Sequence, residues 1–139
     1  MKKSLLIAAF IFSRIFSTSA QEKYTVTINF EGMKSNKGSL FVAVYDSKDN
    51  FLNKRLKGTI AKIIDNKVTV TLKDIPVGEY AVSAFHDAND NKKMDTNFFG
   101  IPKEPIGVSN NATGFMGPPK YKDAKFTVNK NITLSITVK

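Results

Sequence analysis

The sequence predicts an all-β protein, an antiparallel seven-stranded β-sandwich that carries one long ordered loop. Three observations lead there. Apolar and polar residues alternate at period two in several short segments, most cleanly in YTVTINF (24–30) and in ITLSITV (132–138). Turn-forming Gly, Asn, Asp and Pro separate these segments. No stretch beyond residue 20 has the 3.6-residue periodicity of an amphipathic helix.

The chain begins with a segment of another kind. Lys2 and Lys3 precede an apolar run, Leu5 to Phe12, and Thr18-Ser19-Ala20 supplies small residues ahead of Gln21. That is the layout of a secretory signal peptide over residues 1–20, followed by a single domain over residues 21–139. The apolar run is too short for a bilayer, so no membrane span is expected after cleavage. Loss of Lys2, Lys3 and Arg14 lowers the net charge from +9 to +6. With no cysteine, the chain has no disulfide, thiolate nucleophile or Cys-based zinc site. The lysines are scattered, as suits solubility and protected sheet edges. A nucleic-acid partner, which would ask for a basic patch interleaved with stacking aromatics, is not expected.

Taken in order, Tyr24 to Phe30 is a half-buried strand with Val26, Ile28 and Phe30 on one face. Glu31 to Gly38 is a turn. Ser39 to Tyr45 is apolar on both faces, as a central strand would be. Asp46 to Lys57 is polar and basic, a helical turn or irregular crossover. Thr59 to Ile64 and Lys67 to Leu72 flank Asp65-Asn66, a tight hairpin turn. Asp74 to Tyr80 (DIPVGEY) is a sharp corner in which Pro76 fixes φ and Gly78 permits a positive φ. Tyr80 then covers the corner and bonds backbone with its hydroxyl. Its strand runs to His86. Ala124 to Val128 and Ile132 to Val138 form a C-terminal pair turning at Asn129–Asn131.

Residues 87–123 break this pattern. They hold Gly100, Gly107, Gly114, Gly117, four prolines, and the apolar residues Phe98, Phe99, Phe115, Met116 and Tyr121. A disordered linker is poor in aromatics, and a long irregular segment in a compact domain is usually functional. The expectation is an ordered loop with a small apolar core of its own, forming the binding surface.

The loop opens with a calcium-type spacing of oxygens. Asp87, Asn89, Asn91 and Asp95 occupy positions 1, 3, 5 and 9, and Lys93 at position 7 offers its backbone carbonyl. Calcium takes six to eight oxygens from such a flexible loop. Position 6 is Lys92 where an EF-hand has glycine, and position 12 is Phe98 where it has glutamate. Glu104 is the carboxylate that would swing back in its place. The plainer reading is a polar turn whose Asp and Asn side chains bond their own backbone. Ser109-Asn110-Asn111 reads the same way, as caps, or as donors to sugar hydroxyls beside aromatic platforms.

His86 is the only histidine. An enzyme would use it as general base, oriented by Asp87 or Glu104, with Ser83, Ser109 or Thr113 as nucleophile. No Gly-x-Ser-x-Gly elbow accompanies these residues.

The blocks DIPVGEY (74–80), FHDANDN (85–91), MDTN (94–97), GIPKE (100–104), SNNA (109–112) and GPP (117–119) resemble, in this order, a family of exported bacterial proteins, domain of unknown function 2141. The family commonly has glycine where this chain has Lys92. The resemblance implies export and carries over no activity or catalytic residues. More distantly, the Pro/Gly-Tyr-strand block is similar to transthyretin-like (prealbumin-like) and carboxypeptidase-regulatory-like sandwiches, an immunoglobulin-like architecture. Transthyretin-related hydrolases use several histidines and arginines, and this chain beyond residue 20 has only His86 and Arg55. The expectation is therefore a non-enzymatic binding or structural module of the envelope, periplasmic or secreted. It would be stapled by calcium, with no other cofactor, and its partner would be an envelope protein or a glycan. The alternative is a small hydrolase-like enzyme built on His86.

Overall fold

A computed structural model describes residues 19–139. The expected signal peptide falls almost wholly on residues 1–18, outside the described residues. Eight strands form two sheets: β1 (Lys23–Glu31), β2 (Ser39–Tyr45), β3 (Lys57–Lys62), β4 (Val68–Pro76), β5 (Gly78–Asp87), β6 (Ile106–Val108), β7 (Phe126–Val128) and β8 (Ile132–Thr137). A 3-10 turn, Ser109–Asn111, and one helical turn, α1 (Tyr121–Ala124), lie between β6 and β7. No described helix is long and apolar enough to cross a membrane.

The sheets are β4-β1-β8 and β3-β2-β5-β6, with β7 also pairing β5. They close face to face on one core, as a sandwich does. Val26, Ile28 and Phe30 of β1 and Val68, Val70 and Leu72 of β4 face Leu40, Val42 and Val44 of β2 and Val82 and Ala84 of β5. Period-two alternation puts these residues on one face, and each large apolar side chain fully buried there contributes about 1.5–3 kcal/mol.

Three expectations are corrected. The strand count is eight, because β6 joins the sheet from within the long loop. Three residues between Pro105 and Ser109 are too few to show a period. The sheets are not wholly antiparallel, since β8 runs parallel to β1 in register from Val26↔Ile132 to Glu31↔Thr137. The C-terminal strands are not a pair either. β7 pairs with Gly78–Tyr80 of β5 in one sheet and β8 lies in the other, so the turn at 129–131 carries the chain across the sandwich. Asn131 steadies that crossing by accepting the Thr25 N–H at 2.9 Å.

The corners follow their residues. Asp65 and Asn66 both take positive φ, 51° and 58°, as a two-residue hairpin of the primed kind requires. The Tyr80 hydroxyl donates to the Pro76 carbonyl at 2.8 Å, the expected tyrosine corner. The positive φ near this corner belongs to Asp74 (59°), not to Gly78. At Gly78 an added Cβ would stand in ordinary contact with the Tyr80 ring, 3.4 Å away. The 46–56 crossover is a series of turns rather than a helix, closed by Phe51 N–H to the Ser47 carbonyl and Leu56 N–H to the Val44 carbonyl.

Candidate functional site

The candidate site hangs from the end of β5. Alternation along this strand sends Tyr80, Val82, Ala84 and His86 into the core and Ala81, Ser83, Phe85 and Asp87 to the outer face. His86 is buried, and its Nε2–H donates to the Lys37 carbonyl at 2.7 Å. Gly38 packs on the neighbouring backbone, where an added Cβ would stand 1.8 Å from the Asp87 carbonyl oxygen. These contacts clamp the strand end beneath the loop.

His86 and Asp87 therefore point to opposite faces, and the imidazole is not oriented by that carboxylate. The expected nucleophiles are also separate from it. Ser83 bonds the Tyr45 hydroxyl at 3.1 Å on the outer face, Thr113 is exposed, and the buried Ser109 hydroxyl bonds backbone.

From Asp87 the chain curls tightly. The fully buried Asp87 carboxylate accepts the Asn91 N–H at 3.2 Å through one oxygen and the Lys92 N–H at 2.9 Å through the other. Asn89 Oδ1 accepts the Asn91 N–H at 3.2 Å, and Asn91 Oδ1 accepts the Lys93 N–H at 3.2 Å. These are the Asx-type turns expected of such a sequence. Both side-chain amides turn their NH2 groups to one carboxylate. Asn89 donates to Asp95 at 2.6 Å and Asn91 donates to both Asp95 oxygens at 2.7 and 2.9 Å. These bonds hold the Asp95 carboxyl below its ordinary range, helped by Lys93 and Lys103. Asp90 pairs with Lys92.

The curl is bought with backbone strain. Asp90 and Lys92 have φ of 57° and 67°, a region that costs most non-glycine residues about 1–3 kcal/mol. Lys92 takes at position 6 the left-handed conformation for which calcium loops use glycine. Its identity argued against such a loop, yet its backbone adopts the turn.

Glu104 does swing back. Its Oε2 accepts the Asp95 N–H at 3.1 Å, and the Lys103 N–H bonds the Asp95 carbonyl at 2.8 Å. Its Oε1 is buried and has no hydrogen-bond partner among the described residues. Burial raises the Glu104 carboxyl above its ordinary value, against the Asp95 N–H bond. The negative charges of Asp95 and Asp87 raise it further, as does the hydrogen bond that the protonated carboxyl donates to Asp87. Beside it lies a pocket of about 520 Å³ lined by Asn89, Asp95, Thr96, Lys103 and Glu104. The structure thus brings Asp87, Asn89, Asn91, Asp95 and Glu104 into one neighbourhood. As they stand, among the described residues no three acidic or imidazole side chains are arranged to hold a metal ion. The Lys93 carbonyl and the amide oxygens would have to complete a set.

The rest of the segment is built differently. Ser109 fills the gap in the β5 edge between β6 and β7. Its hydroxyl accepts the Val82 N–H at 3.0 Å and lies 2.5 Å from the Ala124 carbonyl. Asn110 donates to the carbonyls of Asp123 and Lys125 at 3.1 and 2.8 Å, and Asn111 accepts the Thr137 N–H at 2.9 Å. Ser109-Asn110-Asn111 is a backbone knot. The small apolar core expected of the loop exists only here, where Val108 and Ala124 meet Ala81 with Phe51 and Tyr121 against them. Phe98, Phe99, Phe115 and Met116 are not part of it and lie on the surface.

A model of the family described as "Uncharacterized protein conserved in bacteria (DUF2141)" matches residues 28–135. No curated protein and no solved structure matches the chain. Because the match spans most of its length, the chain belongs to the DUF2141 family.

Proposed function

We propose that this member of the family is an exported, non-enzymatic binding module of the bacterial cell envelope, whose 87–105 loop is closed by a calcium ion. Export rests on the signal-peptide layout of residues 1–20. The observation that carries the calcium reading is the buried, unpartnered Oε1 of Glu104, set beside the strained Asp87–Asp95 curl. An orphaned buried carboxylate oxygen is costly unless something positive meets it. Calcium would draw on Asp87, Asp95 and Glu104, the Lys93 carbonyl, and Asn89 and Asn91. A half-turn of each amide would bring its oxygen to the ion in exchange for its bond to the Asn91 or Lys93 N–H, and the NH2 groups already face Asp95 as a cation would. The ion's role is structural, since it fastens a loop in a chain without disulfides.

Thermal unfolding in EDTA and then in excess calcium tests this. At about a hundred times its dissociation constant an ion adds about 2.7 kcal/mol, on the order of ten degrees at this size. The shift should vanish in Asp87→Asn/Asp95→Asn. An unchanged melting temperature at millimolar calcium would refute the ion.

The hydrolase-like alternative has one observation on its side, the raised Glu104 carboxyl in a pocket. It requires His86 to leave Lys37. Turnover abolished by His86→Gln in a folded variant would favour it over the binding module.

A further inference from the structure

The outer face of the β3-β2-β5 sheet is covered at one end by the small core around Ala81 and at the other by the loop that follows Asp87. Between them lies a groove of about 750 Å³. Its floor is a cross-strand row of small residues, Gly58, Ala43 and Ser83, beside a second row in which Phe41 and Phe85 stack at 4.9 Å. Ile60 extends that apolar row and is 58% exposed. Leu52, Asn53 and Arg55 wall the groove at one end of the strands and Lys92, Lys93 and Met94 at the other.

The lining contains three cations and no carboxylate. Lys92 is paired with Asp90, whereas Arg55 and Lys93 make no ion pair among the described residues. The Arg55 side chain rests over Gly58, its Nε 2.7 Å from where a Cβ on that residue would stand. Glycine weakens a strand interior and often marks a close approach of this kind. An unpaired guanidinium is suited to a carboxylate, which it binds bidentately.

We propose that this groove binds an acidic polysaccharide, with the apolar face of a sugar ring on Phe41 and Phe85 and uronate carboxylates on Arg55 and Lys93. Cations on both walls of the groove fit a chain of repeated charge better than a single anion. The groove crosses the strands instead of following a free edge, so it offers an extended peptide no backbone ladder. Aromatic walls with a few fixed polar groups are the usual make-up of a small-ligand site. The proposal deepens the binding-module reading and rests on it. The wall formed by Lys92–Met94 belongs to the curl, which the Asn89, Asn91 and Asp95 hydrogen bonds shape without an ion.

The test is calorimetric titration of the protein with hexagalacturonate in EDTA, because this oligosaccharide itself takes up calcium. Neutral maltohexaose, polyglutamate and oligo-dT serve as comparators. Hexagalacturonate should bind at least tenfold more tightly than each of them. Arg55→Ala and Phe85→Ser should each weaken it by tenfold or more at unchanged fold. Equal or tighter binding of polyglutamate, oligo-dT or maltohexaose, indifference to Arg55→Ala, or no binding at millimolar hexagalacturonate would each overturn the proposal. None of these results moves the calcium-dependent melting shift, so the two readings fail separately.

Discussion

The two halves of the 87–125 segment are held in opposite ways. Residues 88–105 close mainly on themselves, through Asn89, Asn91, Asp95 and Glu104. Residues 106–125 are tied to the body by long-range bonds, from Ser109 to β5 and from Asn111 to β8. The second half has its polar groups satisfied and a small apolar core beneath it. The first half has strained backbone, several carboxylates and one orphaned buried oxygen. The difference teaches where a ligand can act. An ion has nothing to add to the knot, and it can relieve charge and complete hydrogen-bonding in the curl.

The largest expected effect falls on the knot. Ser109→Ala leaves the Val82 N–H and the Ala124 carbonyl without their partner in a buried gap, at about 1–3 kcal/mol for each group stranded. The melting temperature should fall by roughly 4 °C or more per kcal/mol, equally with calcium and with EDTA. Asn110→Ala should cost less, since its two bonds are exposed. A calcium-dependent loss in either variant would break the division between the halves.

The next effect is in the curl and depends on pH. Glu104 titrates above its ordinary value, so its contribution to stability is complete at low pH and is lost as pH rises through the raised value. Asp95 titrates below its ordinary value, so its contribution is present at neutral pH and is lost as pH falls through the lowered value. Without calcium, Glu104→Gln should remove the loss on the alkaline side and stabilise the protein near neutral pH, by under about 1 kcal/mol. With calcium the same variant should lose most of the ion's benefit. Melting curves from pH 2 to 8, with and without calcium, read both.

The smallest effect is at the tip. Phe98 and Phe99 are 97% and 82% exposed on a turn closed by Asn97, which accepts the N–H groups of Phe99 and Ile101. Phe98→Ser/Phe99→Ser should change stability by less than about 0.5 kcal/mol. A larger loss would mean that the first half has a core after all.

Much of the body was legible in the sequence. YTVTINF and ITLSITV alternate as they do because one face is core, and Asp65-Asn66 and Tyr80 play their expected parts. What alternation could not show is partnership. It places β7 and β8 as strands without revealing that they belong to different sheets, and it gives no signal for the three residues of β6. In the site, oxygen spacing found Asp87, Asn89, Asn91 and Asp95. It left open whether Asp87 faces an ion or bonds its own backbone, because a carboxylate reads the same in both settings, and the structure shows the backbone bonds. Which backbone Ser109 would bond was not legible, because the gap it fills exists only once β6 and β7 flank it. The groove was illegible for the same reason, since Ala43, Gly58 and Ser83 are spread along the chain until register aligns them.

The most direct test is amide hydrogen exchange, residue by residue, in EDTA and in calcium. The N–H groups of Asn91, Lys92 and Asp95 should gain protection by tenfold or more with calcium, while those of Val82 and Thr137 stay as slow as they were. Equal protection of both sets in the two conditions, or a gain confined to the knot, would contradict a cation-closed first half.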